Sequence, residues 1–189
     1  MKQISHTWKW NIPEFFNIGQ ACTASHKNKE NEEKIAMIVE DDELGNSEIT
    51  YQELNRRSNQ FGQLLVNLGI KIQDRVLIRL PNSLDYPISF LGAMKSGAIS
   101  VPTSTLLAPE ELVYIIKDSG AKALVVDKKA WSFIQPELEK SDCINLRFIL
   151  LSGKGDFQTH PQFTLLDLHS ELEKISTINS FCQTKAEDP

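Results

Sequence analysis

The chain has 189 residues, 41% of them hydrophobic and 24% charged, with a formal net charge of -5 and a sequence pI near 5.4. This is the mix of one ordinary globular domain with a core of its own, and it excludes a disordered chain. The acidic balance also argues against a nucleic-acid partner, since Arg56-Arg57 and Lys128-Lys129 are isolated basic pairs rather than a patch.

No segment approaches the roughly 20 apolar residues of a membrane span, and Met1 to Trp10 has no apolar run of signal-peptide length. Cys22, Cys143 and Cys182 are scattered, as are His6, His26, His160 and His169, with none at metal-ligand spacing. The expectation is a soluble cytoplasmic protein with reduced thiols, no metal site and no membrane span.

In chain order, the charged stretch from Lys27 to Lys34 reads as a loop, and Ile35 to Val39 as a strand. Asp41-Asp42 sits in a polar turn. Thr50 and Glu53 form a capping-box pair at a helix start. Leu54, Phe61, Leu64, Leu65 and Leu68 then fall on one helical face, and Gly69 ends it. Arg75 to Leu80 is the strand that follows.

A second helix carries Ile88, Phe90, Leu91 and Met94. Pro87 must lie in its first turn or just before it, because an interior proline would remove a ladder bond. The helix stops at Gly97, and Ala98 to Val101 is the next strand, closed by Pro102. A third helix starts with Pro109, Glu110 and Glu111, which suits a positive helix N-terminus. It runs through Leu112, Val113, Ile115 and Ile116 to Gly120, followed by a strand from Ala123 to Val126. Arg147 to Leu151 is a further strand, 152–163 is loop-like, and Leu165 to Ile175 is a short helix. Helices alternating with short apolar strands imply an α/β fold: a parallel sheet with helices on both faces.

Few residues invite a chemical role. Gly153-Lys154-Gly155 fails as a nucleotide phosphate loop, because that loop needs a glycine at position 148, where Phe148 stands, and Ser or Thr after the lysine. No dinucleotide glycine fingerprint and no nucleophile elbow is present. Thr103-Ser104-Thr105 follows a strand at the carboxyl end, where open α/β sheets bind ligands. The simpler reading of these hydroxyls is a turn with its own side-chain to backbone bonds. No catalytic, cofactor-binding or metal residue can be assigned from the residues alone.

Two stretches resemble the adenylate-forming superfamily of AMP-forming acyl-CoA and aryl-CoA ligases. Thr50-Tyr51-Gln52-Glu53-Leu54 is similar to the family's "T-Y-x-E-L" helix start. Leu91-Gly92-Ala93-Met94-Lys95-Ser96-Gly97-Ala98, continuing to Pro102, is similar to "L-G-x-x-K-A-G-A-x-x-x-P", with Ser96 in place of alanine. Asp74-Arg75-Val76, Pro81-Asn82-Ser83, Pro109-Glu110-Glu111-Leu112 and Asp118-Ser119-Gly120-Ala121-Lys122 continue the likeness.

The resemblance implies an incomplete N-terminal subdomain of the adenylate-forming fold, ending before the family's ATP phosphate-binding loop. It implies three parts: a segment 1–34, an α/β subdomain 35–175, and a linker 176–189 toward the missing ATP-binding part. A full-length parent would use ATP, magnesium and coenzyme A to turn a carboxylic acid into an acyl-adenylate and then an acyl-CoA. This chain alone would be inactive and would hold none of those cofactors tightly.

The comparison further suggests that Lys140 to Gly155, through Arg147 and Lys154, lines the approach to coenzyme A. Two other readings stand beside it. One is a non-catalytic binding or assembly module that pairs with a separate chain, or with itself through an exposed sheet edge. The other is an unrelated α/β binding protein.

Overall fold

The computed structural model describes residues 9–24, 29–40, 45–176, 182–185 and 187–188. The expectations on His6, His26 and Asp41-Asp42 lie outside these residues. The elements are α1 (Ile18–Ala24), α2 (Lys29–Glu32), β1 (Ile35–Val39), β2 (Ser47–Thr50), α3 (Tyr51–Asn67), β3 (Arg75–Arg79) and α4 (Asp85–Lys95). They continue with β4 (Ile99–Pro102), α5 (Pro109–Ser119), β5 (Ala123–Asp127), α6 (Lys128–Glu139), β6 (Phe148–Ser152), β7 (Thr164–Asp167) and α7 (Leu168–Glu173).

Five strands form one parallel sheet in the order β4-β3-β5-β6-β7. Alternate residues of each strand point to opposite faces, and both faces are covered. Val76, Ile78, Ala123, Val125 and Leu150 pack under α3, α4 and α7. Leu77, Leu124, Val126, Ile149 and Leu151 pack under α5 and α6. This two-sided burial is why the strands read as continuous apolar runs in the sequence.

The three helices expected from periodicity are present, and Pro87 and Pro109 stand in the first turns of α4 and α5. Leucines on one face of α3 reach the core: Leu54, Leu64 and Leu65 are buried with Phe61. Past the end of α3, Gly69 adopts φ +78°, and the N–H groups of Gly69 and Ile70 donate to Val66 O and Leu65 O at 2.9 Å each. That left-handed residue closes the last orphan carbonyls, and only glycine takes it without strain. The same bond pair ends α4 and α5.

Several local expectations need correction. Thr50 caps α3 by accepting from Glu53 N at 3.2 Å, but the Glu53 carboxylate does not close the box. It turns instead to Arg56 and Arg57, with N–O distances of 2.7 Å to Arg56 Nε and 2.7 Å to Arg57 Nε, which hold its carboxyl down to about 2. Two cations at i+3 and i+4 out-compete one backbone N–H. Ile35 to Val39 is a strand, but it pairs antiparallel with β2 in a separate two-stranded sheet. Residues 29–32 form a short helix rather than loop.

Leu165 to Asp167 is strand rather than the start of a helix, because β7 finds a parallel partner in β6. Asp167 then caps α7 by accepting from Ser170 N at 2.8 Å. Five of the described elements were not anticipated: α1, α2, β2, α6 and β7.

The closest packing lies where α1, α3 and α4 meet. A Cβ on Gly92 would stand 2.6 Å from Ser58 O, and one on Gly62 would stand 2.9 Å from Gly92 O. On the other side, a Cβ on Gly19 would stand 2.6 Å from Leu91 O. The helices are therefore in backbone contact. Ahead of α1, the Asn17 amide donates to Met94 O at 3.0 Å, Lys95 O at 3.3 Å and Cys182 O at 3.0 Å. Its own Oδ1 accepts from Gln20 N at 3.0 Å. One buried side chain thus caps α1 and ties both flanking segments to the end of α4.

Candidate functional site

In an open parallel sheet, ligands bind beyond the carboxyl ends of the strands, where neighbouring strands send their connections to opposite faces. Here that point lies between β3 and β5. The chain leaves β3 for α4 on one face and leaves β5 for α6 on the other. Around it stand the turn 80–84, the loop 103–108, Asp127, the turn 152–155 and the β7–α7 junction.

Arg79 ends β3 and is 9% exposed. Its Nη2 donates to Thr105 O at 2.6 Å and Leu107 O at 3.2 Å, which clamps the loop after β4. Its Nε is buried with no hydrogen-bond partner, as are the hydroxyls of Ser83 and Ser89. Burial alone moves its pKa, and the direction is downward. Thr103 Oγ1 donates across to Ile78 O on β3 at 3.2 Å, and Ser104 Oγ accepts from Leu106 N at 3.1 Å, so Ser104 makes the expected turn bond and Thr103 ties the loop to the sheet instead.

A second node joins three carboxyl-edge elements. The Asp85 carboxylate, in the first turn of α4, accepts from Ser152 Oγ at 2.5 Å and bonds His169 Nε2 at 2.7 Å. Burial works to raise the Asp85 pKa, but the bonds from His169 and Ser152 outweigh it and the net direction is down. The bond to Asp85 raises His169, against a smaller opposing effect of burial. Both Ser152 and His169 reach the same carboxylate oxygen, so the arrangement holds an aspartate and does not activate a serine. Beside it, Lys128 pairs with Asp167 and lies 5.6 Å from the centre of the Phe157 ring. Burial is the largest single influence on Asp167 and acts upward, but the bonds from Lys128 and Ser170 together with the Lys128 charge outweigh it, and the carboxyl falls to about 2.

Gly153-Lys154-Gly155 forms a surface turn with Lys154 exposed and no inward cradle. Arg147 precedes β6 and Lys154 follows it, so roughly 17 Å of strand separates them and they do not share one patch. Among the described residues, no group of three or more His, Cys, Asp or Glu is placed to hold a metal ion. Among the same residues, no helix is long and apolar enough to cross a membrane.

Away from this edge lies Lys95, a buried lysine on α4 that stands out in the sequence only as part of a motif. Its Nζ is 2.9 Å from Asn55 Oδ1, 2.7 Å from Ser58 Oγ and 2.7 Å from Asn59 Oδ1. Burial brings its pKa down to about 7. A cleft of about 540 Å³ opens beside it, between α3 and Cys182. The spacing of Lys95 with Ile88 and Gly92 on α4 placed it on the inner face, and that is the only signal that could have found it.

The parallel sheet, its two helical layers and its open carboxyl edge define a doubly covered α/β protein. Residues 24–177 match the family of AMP-binding enzymes, and the chain belongs to that family. It is 33% identical over 108 residues to a benzoate–CoA ligase of Thauera aromatica, covering 57% of this chain and 20% of the relative. It is 40% identical over 77 residues to a long-chain-fatty-acid–CoA ligase of Mycobacterium tuberculosis, covering 41% of this chain and 15% of the relative.

Among solved structures, an anthranilate CoA ligase in complex with anthranoyl-AMP superposes with a TM-score of 0.79 at 26% identity, over 94% of this chain and 32% of that one. An acyl-CoA synthetase of Brucella canis shares the fold with a TM-score of 0.79 at 21% identity, over 95% of this chain and 31% of that one. The chain therefore spans about a fifth of the length of these curated relatives and about a third of the solved structures. It is a portion of the adenylate-forming CoA-ligase fold, and the reading as an unrelated α/β binding protein falls away.

Proposed function

We propose that the chain is the scaffold part of an ATP-dependent carboxylate–CoA ligase, which forms an acyl-adenylate and then an acyl-CoA. The observation that carries this reading is the family match across 24–177 on a sheet that superposes on CoA ligases. The unit 35–175 is the α/β subdomain, with 1–34 ahead of it and 176–189 as the connection toward an ATP-binding part. The activity acts in the cytoplasm, and the three free cysteines suit a reducing compartment.

The residues present do not fit ATP with its magnesium ion. The described residues place no carboxylate cluster for the metal, and the 153–155 turn faces outward. On this reading the chain alone is inactive and serves as scaffold rather than as the seat of the chemistry. A direct test is ATP–pyrophosphate exchange with benzoate, acetate and fatty acids. No exchange is expected from this chain, and exchange above background would place the chemistry within it. Complementation by the remaining two thirds of such a ligase should restore acyl-CoA formation.

Within that assembled enzyme, Lys154 stands at the ligand edge and Arg147 at the opposite one. Lys154→Ala raises KM for coenzyme A, whereas Arg147→Ala leaves it unchanged. A Lys154→Ala enzyme with unchanged KM would remove coenzyme A from this turn.

A second reading, a non-catalytic module that pairs with a separate chain or with itself, is supported by β4. It is the outer strand of the sheet, and Leu106 just beyond it is 92% exposed. Unpaired edges favour strand addition. Light scattering across a concentration series tests self-pairing, and a mass that stays monomeric at every concentration removes it.

A further inference from the structure

We propose that the edge between β3 and β5 carries an oxyanion subsite whose principal donor is Arg79. A guanidinium has five N–H donors and no acceptor. Among the described residues Arg79 has two acceptors, the carbonyls of Thr105 and Leu107, both on Nη2. It enters none of the ion pairs among those residues. Its Nε has no partner at all.

Buried charges in proteins are ordinarily paired, because an uncompensated one costs several kcal/mol. Four residues on, in the turn that leaves β3, the Ser83 hydroxyl is also buried without a partner. The Arg79 Nε–H lacks an acceptor, and the Ser83 hydroxyl, which can donate as well as accept, stands unpartnered in the same stretch of chain at the switch point. The ligand chemistry that meets a surplus of donors with a positive charge is an oxyanion, a carboxylate or a phosphate.

The nearby negative charge does not cancel this. Asp85 follows Ser83 by two residues, but its carboxylate is engaged by His169 and Ser152. The carbonyl bonds to Thr105 and Leu107 fix the guanidinium and the loop 103–108 together. This inference is independent of the ligase reading: an inactive chain could bind the anion, and an active ligase could lack the subsite.

The test uses the whole 189-residue chain with acetate and inorganic phosphate as probes, each against chloride at equal ionic strength. A saturable rise in Tm is expected, about 3–6 °C at ten times Kd. The Arg79 Nε–Hε resonance should shift along the same curve. Saturation by phosphate alone assigns a phosphate-bearing ligand, by acetate alone a carboxylate, and by both a simple oxyanion site. No saturable shift of that resonance with either probe overturns the proposal. So does an Arg79→Leu variant that keeps the full Tm response. If that variant does not fold, the wild-type resonance decides.

Discussion

The ammonium of Lys95 lies 2.7 Å from Asn59 Oδ1, inside the contact between α3 and α4. The cage around it offers oxygen acceptors from Asn55, Ser58 and Asn59, which favour the charged form, while burial favours the neutral one. Burial prevails, and the folded pKa falls to about 7.

Lys95→Met leaves those oxygens without their donor in a buried site. A loss of about 2–4 kcal/mol is expected, read as a lower urea midpoint at constant m. A variant within about 0.5 kcal/mol of wild type would mean that the cage is solvated.

The same lysine sets a pH trend. Its folded pKa is below its unfolded value of about 10.4, so between about pH 7 and pH 10 the unfolded chain binds more protons. Stability therefore rises with pH across that window, and the slope disappears in Lys95→Met. Urea unfolding at several pH values checks this, and a falling trend in wild type that the variant shares would refute it.

Asp85 and His169 act in opposite directions. The folded pKa of His169 is raised, so its contribution is complete below the ordinary imidazole range and is lost as pH rises through the folded value. The folded pKa of Asp85 is lowered, so its contribution is present above the ordinary carboxylate range and is lost as pH falls through the folded value. The tie from α7 to α4 is therefore tightest between about pH 4 and pH 6.5. Amide exchange in α7 should be slower at pH 6 than at pH 8 after correction for intrinsic rates. His169→Gln should erase the difference, and a difference that survives it would assign the effect elsewhere.

Gly92 and Gly69 should respond differently to alanine. At Gly92 the new Cβ meets Ser58 O at 2.6 Å and Phe61 Cβ at 2.8 Å, both in the helix contact, so about 3 kcal/mol or more is lost. At Gly69 there is open space and only the left-handed backbone to strain, about 1 kcal/mol. Thermal melts of the two variants rank them, and equal losses would contradict the close helix contact.

Asn17→Ala removes three donor bonds to buried or half-buried carbonyls and one helix cap. About 2 kcal/mol is expected, with faster proteolysis ahead of α1. Cleavage at the wild-type rate would show that the segment is held by other contacts.

The units from α3 to β5 were legible in the sequence because their signals are local. Helical spacing of Leu54, Phe61 and Leu65, a glycine at each helix end and short β-branched runs each act within a few residues. The strand β2, the helix α6 with Pro136 inside it, and the strand β7 were not legible. Ser47 to Thr50 and Thr164 to Asp167 are four-residue segments whose structure depends on a partner strand. The family resemblance was legible for a different reason, since it rests on the order and spacing of motifs rather than on any one of them.

The sequence by itself determined an α/β chain with helices on two faces, because hydrophobic period fixes which side of each element turns inward. Only the tertiary structure decided the strand order, the backbone contact of α3 with α4, the cage of Lys95 and the clamp of Arg79 on the loop after β4. Period tells which side of an element is buried but not what stands opposite it. The cage joins residues 36 to 40 positions apart, and the clamp spans 26 and 28 positions. Such contacts form only once the sheet has brought distant segments together.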